Sequence, residues 1–160
     1  MNKYAASSYD GYLCLKPPML LWLAILYLSR ALTLPIAMGV GSFAGVNHDA
    51  IALLQGLWSL PTLVPSLMAV SVLYAMCRRQ PGASRAVRWI WAHGRAMLVA
   101  SALLDCILSL MPLLGSGNID DRIPPSLFVA GFDLYFAVYV LMAPRVRDTF
   151  AEFPPRVESH

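Results

Sequence analysis

Long apolar runs separated by short polar clusters dominate the chain. No Asp, Glu, Lys or Arg occurs among the 28 residues from Ala50 to Cys77, a stretch longer than the ~20 apolar residues that one helical crossing of a bilayer requires. Elsewhere, lone ionisable residues interrupt stretches otherwise long enough to span. This pattern predicts four spans at about 19–43, 61–77, 94–114 and 125–143, with residues 1–18 and 144–160 outside the membrane. The expected fold class is therefore an all-α membrane protein, a four-transmembrane-helix bundle with a short interfacial helix between spans 1 and 2.

The punctuation of these runs supports the boundaries. Span 1 follows Lys16-Pro17-Pro18, and proline is pre-organised for the first helical position, where its missing N–H costs nothing. Ser42-Phe43-Ala44 resembles a signal-peptide cleavage site, but the charge at Arg30 inside the apolar region predicts that the segment is retained. Between Gly45 and Ser59, Asn47 suits an N-cap and Asp49 the first turn of a helix lying on the membrane surface, its apolar side formed by Ile51, Leu54 and Trp58. Pro61 and Pro65 mark the outer end of span 2, and Arg78-Arg79 its inner end. Gln80-Pro81-Gly82-Ala83 is a turn by composition, and Ser84 can cap a helix that starts well ahead of span 3. Gly115 to Asn118 ends that helix, Pro124-Pro125 opens span 4, and Pro144 closes it.

Composition agrees with a membrane setting. Hydrophobic residues make up 58% of the 160 positions and charged ones 13%, against roughly 45–50% and about 25% in soluble domains. The net charge of +3 is too small to suggest a nucleic acid partner, but its placement orients the chain. Lys3 and Lys16, then Arg78, Arg79, Arg85, Arg88 and Arg95, then Arg145, Arg147 and Arg156 form three clusters, leaving Arg122 alone for the other two loops. The positive-inside rule then places both termini and the middle loop in the cytoplasm, with Arg78, Arg79, Arg85, Arg88, Arg95, Arg145 and Arg147 as basic anchors. Four spans require both termini on one side, so the count and the charges agree.

Arg30, Asp105 and Asp133 lie inside the spans. At ~1.5 Å per helical residue they fall ~17, ~15 and ~18 Å above the inner surface of a ~30 Å core, one level near the midplane. A charge there costs at least ~2.5–3.5 kcal/mol, so Arg30 is expected to face the bundle interior and bond one or both aspartates. Two aspartates against one arginine leave a charge unbalanced unless a carboxyl holds a proton. Ser101, Asp105 and Ser109, spaced by four, share one helical face as a polar pathway would need. The cluster is thus either a structural clasp or a proton- or solute-handling site.

Other chemistry is sparse. Cys14, Cys77 and Cys106 have neither close spacing nor a histidine partner, so no disulfide framework, metal site or cofactor is expected. His48 beside Asp49 offers too few ligands for zinc, His93 reads as interfacial, and Asp120-Asp121 lacks calcium-loop spacing. Ala37, Gly41 and Gly45 repeat at four, a small-residue face that allows close helix approach within this chain or with another. There is no GxSxG, HExxH or phosphate-binding glycine loop. The leading expectation is a non-catalytic accessory, assembly or regulatory subunit of a larger membrane complex, in contact with the lipid bilayer and with another membrane protein or a second copy. The alternative is a small oligomeric transporter or proton-coupled channel using Arg30, Asp105 and Asp133. A third is an enzyme acting on lipid or a lipid-linked sugar.

Asp10-Gly11-Tyr12-Leu13 followed by Leu15-Lys16-Pro17-Pro18 and Leu21-Trp22-Leu23, with Arg30 inside span 1, resembles the YfeZ-like family of small bacterial inner-membrane proteins of unknown function. The likeness extends over His48-Asp49, Gly56-Leu57 and Pro61, Arg78-Arg79, Arg88-Trp89, Asp133 and the stretch from Arg145 to Phe150, while Asp105 stands outside it. The resemblance implies a bacterial inner membrane and a four-span architecture, and it brings no activity.

Overall fold

Pro18 sits in extended conformation at the N-cap of the first helix, α1 (Met19–Leu28), where no side chain caps the helix. The computed structural model describes residues 4–43, 60–115 and 125–155. After α1 come α2 (Arg30–Phe43), α3 (Leu63–Cys77), α4 (Arg85–Gly115), α5 (Pro125–Met142) and α6 (Pro144–Ala151). Short 3-10 turns occupy Ala6–Ser8 and Leu60–Thr62. The described residues are thus all-helical, with no strand beyond a single bridge between Tyr9 and Leu15. Two stretches, Leu60–Cys77 and Arg85–Met111, are long and apolar enough to cross a membrane, and the number rises to four if each of two bent helix pairs is one span. The expected interfacial helix falls in 44–59, outside the described residues.

Span 1, expected as one helix, is instead broken. The segments Met19–Leu28 and Arg30–Ile36 meet at 77°. Ser29 leaves helical geometry at φ −86° and ψ 7°, and both Leu32 and Thr33 turn their N–H groups to its carbonyl. At the break, the Leu28 carbonyl and the Ala31 N–H are both met by one side chain from α3. Ser66 Oγ donates to Leu28 O at 2.9 Å and accepts from Ala31 N–H at 3.3 Å. Pro35, one turn further on, also lacks the N–H that would bond the Ala31 carbonyl, so α2 starts with a weakened first turn.

A second bend, of 65°, separates α5 from α6. Ala143 precedes proline and is held extended at φ −69° and ψ 113°, and Pro144 then opens the new helix. The expected tail is therefore partly a helix that folds back, burying Val146, Thr149 and Phe150. Phe150 packs on Trp91 with ring centroids 4.7 Å apart, and Gly94 leaves room for it, since a Cβ there would lie 2.6 Å from Phe150 Cε1.

α4 is the central helix, with α5 along one side and α3 along another. The core between them is built from Leu21, Ile25 and Leu28, Val72, Trp91 and Leu98, and Val140 and Val146. Ala69, Ala75, Ala102 and Ala137 are buried at the same contacts, where small side chains allow close helix approach. The outer surface is also apolar: Trp22, Leu26, Leu67, Ile107, Phe128 and Phe132 are all exposed.

Candidate functional site

The break at Ser29 makes Arg30 the first residue of α2 and aims its side chain into the bundle. Its Nη1 lies 2.8 Å from Asp105 Oδ2 on α4 and 3.4 Å from Asp133 Oδ1 on α5. Both carboxylates are fully buried, and the arginine side chain is 10% exposed. One nitrogen thus links three helices. The contact to Asp133 has hydrogen-bond geometry; the closer one to Asp105 is an ion pair whose N–H is not aligned on the oxygen. The guanidinium carbon also sits 4.6 Å from the centroid of the Tyr27 ring, a cation–π contact. Tyr27 in turn donates its hydroxyl to the Val129 carbonyl of α5 at 3.1 Å.

Two carboxylates share one cation here. Asp105 Oδ1, Asp133 Oδ2 and Arg30 Nε have no hydrogen-bond partner among the described residues. The cluster therefore balances its charge only with one carboxyl protonated, and unbonded oxygen positions are present on both aspartates. What this geometry does is tie three helices together through one guanidinium.

Of the serines expected to extend a polar path from Asp105, Ser101 is buried and donates to the Pro65 carbonyl of α3 at 2.8 Å. It ties α4 to α3. Ser109 is half-buried one turn beyond Asp105. Ala37 and Gly41 lie on α2, and Gly45, His48 and Asp49 fall outside the described residues, as do Asp120 and Asp121. His93 is exposed, stacked on Trp89 at 4.6 Å, with Nδ1 2.9 Å from the Trp89 carbonyl. The three cysteines are free, and among the described residues no three His, Cys, Asp or Glu side chains gather to hold a metal.

The residues expected as basic anchors divide into two kinds. Arg78, Arg85 and Arg147 are exposed, and Arg147 makes only a loose contact with Asp148 at 3.6 Å. Arg145 is half-buried at the start of α6. Arg79 is buried: Nη1 donates to Leu15 O at 2.9 Å and Nη2 to Glu152 O at 3.0 Å, with the guanidinium 4.8 Å above the Trp91 ring. Trp91 Nε1 donates to the same Glu152 carbonyl, and the Glu152 carboxylate accepts the Leu15 N–H at 2.6 Å. The N-terminal segment is itself shaped for this latch. Asp10 Oδ1 accepts from the N–H groups of Tyr12 and Cys14, and the exposed Leu13 takes a left-handed φ of 58° to complete the turn. That burial pushes the Cys14 thiol above its ordinary pKa, with the nearby Arg79 acting in the opposite direction. Arg88 donates to Pro81 O at 2.7 Å and lies over Phe153. Arg95 caps the last turn of α5 through Val140 O and Leu141 O, carbonyls that a helix end leaves without partners.

Tyr27, Ser66 and the Arg79–Trp91–Glu152 latch were not expected from the sequence. Tyr27 had a signal, since it lies three residues before Arg30 and at that spacing shares its face. Ser66 had a weaker one, a hydroxyl directly after Pro65 in an apolar run.

Among the described residues, fold and site define an all-helical bundle of apolar helices closed around a buried arginine–aspartate cluster. The chain belongs to a family described as "Protein of unknown function (DUF2919)", which it matches over residues 4–152. No curated protein and no solved structure matches it.

Proposed function

We propose that this chain is a four-span, YfeZ-like protein of the bacterial inner membrane, with both termini and the α3–α4 loop in the cytoplasm, and that it serves as a non-catalytic accessory, assembly or regulatory subunit of a larger membrane complex. One observation carries the reading: Arg30, Asp105 and Asp133, the ionisable groups at depth, are turned on one another and closed to solvent. Ser66 and Ser101 likewise bond backbone groups of a neighbouring helix. The polar groups of the bundle thus serve its own assembly. The apolar exterior supports the membrane setting, because a soluble monomer rarely exposes so continuous an apolar surface. The clustering of basic residues toward both termini and the middle loop supports the orientation.

A second reading, a small oligomeric proton-coupled channel or transporter, is favoured by the two carboxylates that converge on one guanidinium nitrogen. The separating experiment is affinity purification from native membranes into nanodiscs, followed by mass spectrometry and by proton-flux measurement on the same material in liposomes. The accessory reading expects a stoichiometric partner and no flux. Protein that purifies alone and carries a proton flux abolished by Asp133→Asn would overturn it.

A further inference from the structure

Ala92, Ala96, Ala100 and Leu103 recur along α4 at three- and four-residue spacing and so form one stripe down the helix. All four are exposed. With Leu141 of α5 as the facing wall, they floor a groove of about 500 Å³ that opens to the outside of the bundle. Eleven residues of helix give it a length of ~16 Å, about one leaflet of a ~30 Å hydrocarbon core. The deep end stops at Leu103, two residues short of Asp105. At the shallow end Arg95 lines the same groove. Its Nε and Nη2 are fixed on Val140 O and Leu141 O, which leaves Nη1 without an acceptor among the described residues. On the two helices that form the groove, no Asp or Glu occurs between Arg85 and Leu104 or between Leu134 and Arg147.

We propose that this groove is the site of a resident anionic phospholipid, one acyl chain lying along the alanine stripe and the phosphate on Nη1 of Arg95. The inference rests on the membrane-spanning reading above. Depth, length and charge agree with it: the guanidinium stands where headgroups begin, with Arg85, Arg88 and Trp89 one to three turns nearer the α4 start, and the apolar floor runs inward from it. A headgroup of net negative charge balances Arg95, whereas a zwitterionic lipid brings a competing ammonium. Alanines rather than larger residues keep the floor low enough for a chain to lie in.

The test is native mass spectrometry of the full chain released from nanodiscs made of equal parts phosphatidylglycerol and phosphatidylcholine. Wild-type protein should retain one lipid, with phosphatidylglycerol preferred by about five-fold. Ala100→Phe fills the groove from an exposed position outside the core and should remove the retained lipid whatever its headgroup. Arg95→Gln should bring the headgroup ratio to about one, and Arg95→Lys should restore the preference, which separates the phosphate contact from the loss of the α5 cap. The proposal fails if both variants retain lipid as wild type does. It also fails if Ala100→Phe changes the oligomeric state and not the lipid count, since a partner helix would then occupy the groove. Resistance of the wild type to carbonate extraction is measured in parallel. Extractable protein would overturn the membrane reading itself, whereas firmly inserted protein with no retained lipid would overturn this inference alone.

Discussion

Ser66→Ala and Ser101→Ala delete the same atom from two fully buried serines, yet the structure predicts different costs. Ser66 Oγ bonds two backbone groups that flank the break at Ser29, the Leu28 carbonyl and the Ala31 N–H. Both lie where water does not reach. Removing the hydroxyl takes the donor from the buried Leu28 carbonyl and one contact from the Ala31 N–H, and an orphaned buried backbone group costs ~1–3 kcal/mol, so the loss should be about 2–3 kcal/mol. Ser101 donates to the carbonyl of Pro65, which lies inside α3 and keeps its regular helical partner when the hydroxyl is removed, so that deletion costs about 1 kcal/mol. Unfolding of both variants in mixed micelles of fixed composition, followed by helical circular dichroism, measures the difference directly. Ser66→Cys keeps a weak donor and acceptor in place and should fall between wild type and Ser66→Ala. Equal losses for the two alanine variants would refute the account of how the break is stabilised.

Gly94→Ala puts a methyl group 2.6 Å from Phe150 Cε1, against a ring held by Trp91, and should lower stability by ~1–3 kcal/mol; thermal melting should show part of that loss recovered in Gly94→Ala/Phe150→Leu. Arg79→Ala should open the latch between the N-terminal segment and Glu152. The buried Cys14 thiol, raised in the latched state, carries little thiolate near neutral pH, so unlatching should speed its reaction with a thiol reagent, about ten-fold for each ~1.4 kcal/mol removed from the latch; an unchanged rate would place Cys14 outside the latch. For orientation, cysteines introduced at Asn47 and Asn118 should react with a membrane-impermeant reagent in intact cells while one at Gly82 should not, and labelling at Gly82 alone would reverse the proposed topology.

Helix ends were legible because their signals are local. Pro18 sets the start of α1, and Ser84 Oγ accepts the Val87 N–H as the first-turn cap of α4. The meeting of Arg30, Asp105 and Asp133 was legible through depth alone, since three unpaired charges at one level of an apolar bundle have few stable arrangements other than contact. The break at Ser29 was not. A serine followed six residues later by Pro35 is compatible with a continuous helix, and what stabilises the break is Ser66, contributed by another helix. The latch made by Arg79 was hidden for a related reason: its acceptors are the carbonyls of Leu15 and Glu152, 64 and 73 residues away in the chain. The same distance hid the fold-back of α6, because Phe150 has a place only where Gly94 and Trp91 provide one.

The central claim is that Arg30, Asp105 and Asp133 compensate one another, and the unfolding free energy of the triple variant Arg30→Met/Asp105→Leu/Asp133→Leu tests it most directly. Removing the cation alone, in Arg30→Met, leaves the buried carboxyl pair without its cation and should cost ~3–5 kcal/mol. Replacing the whole cluster by apolar side chains removes the charges together with the need to pair them. The triple variant should therefore unfold within ~1 kcal/mol of wild type, or be more stable. A triple variant as unstable as Arg30→Met would contradict the account, because the loss would then lie in something other than the pairing of these three charges.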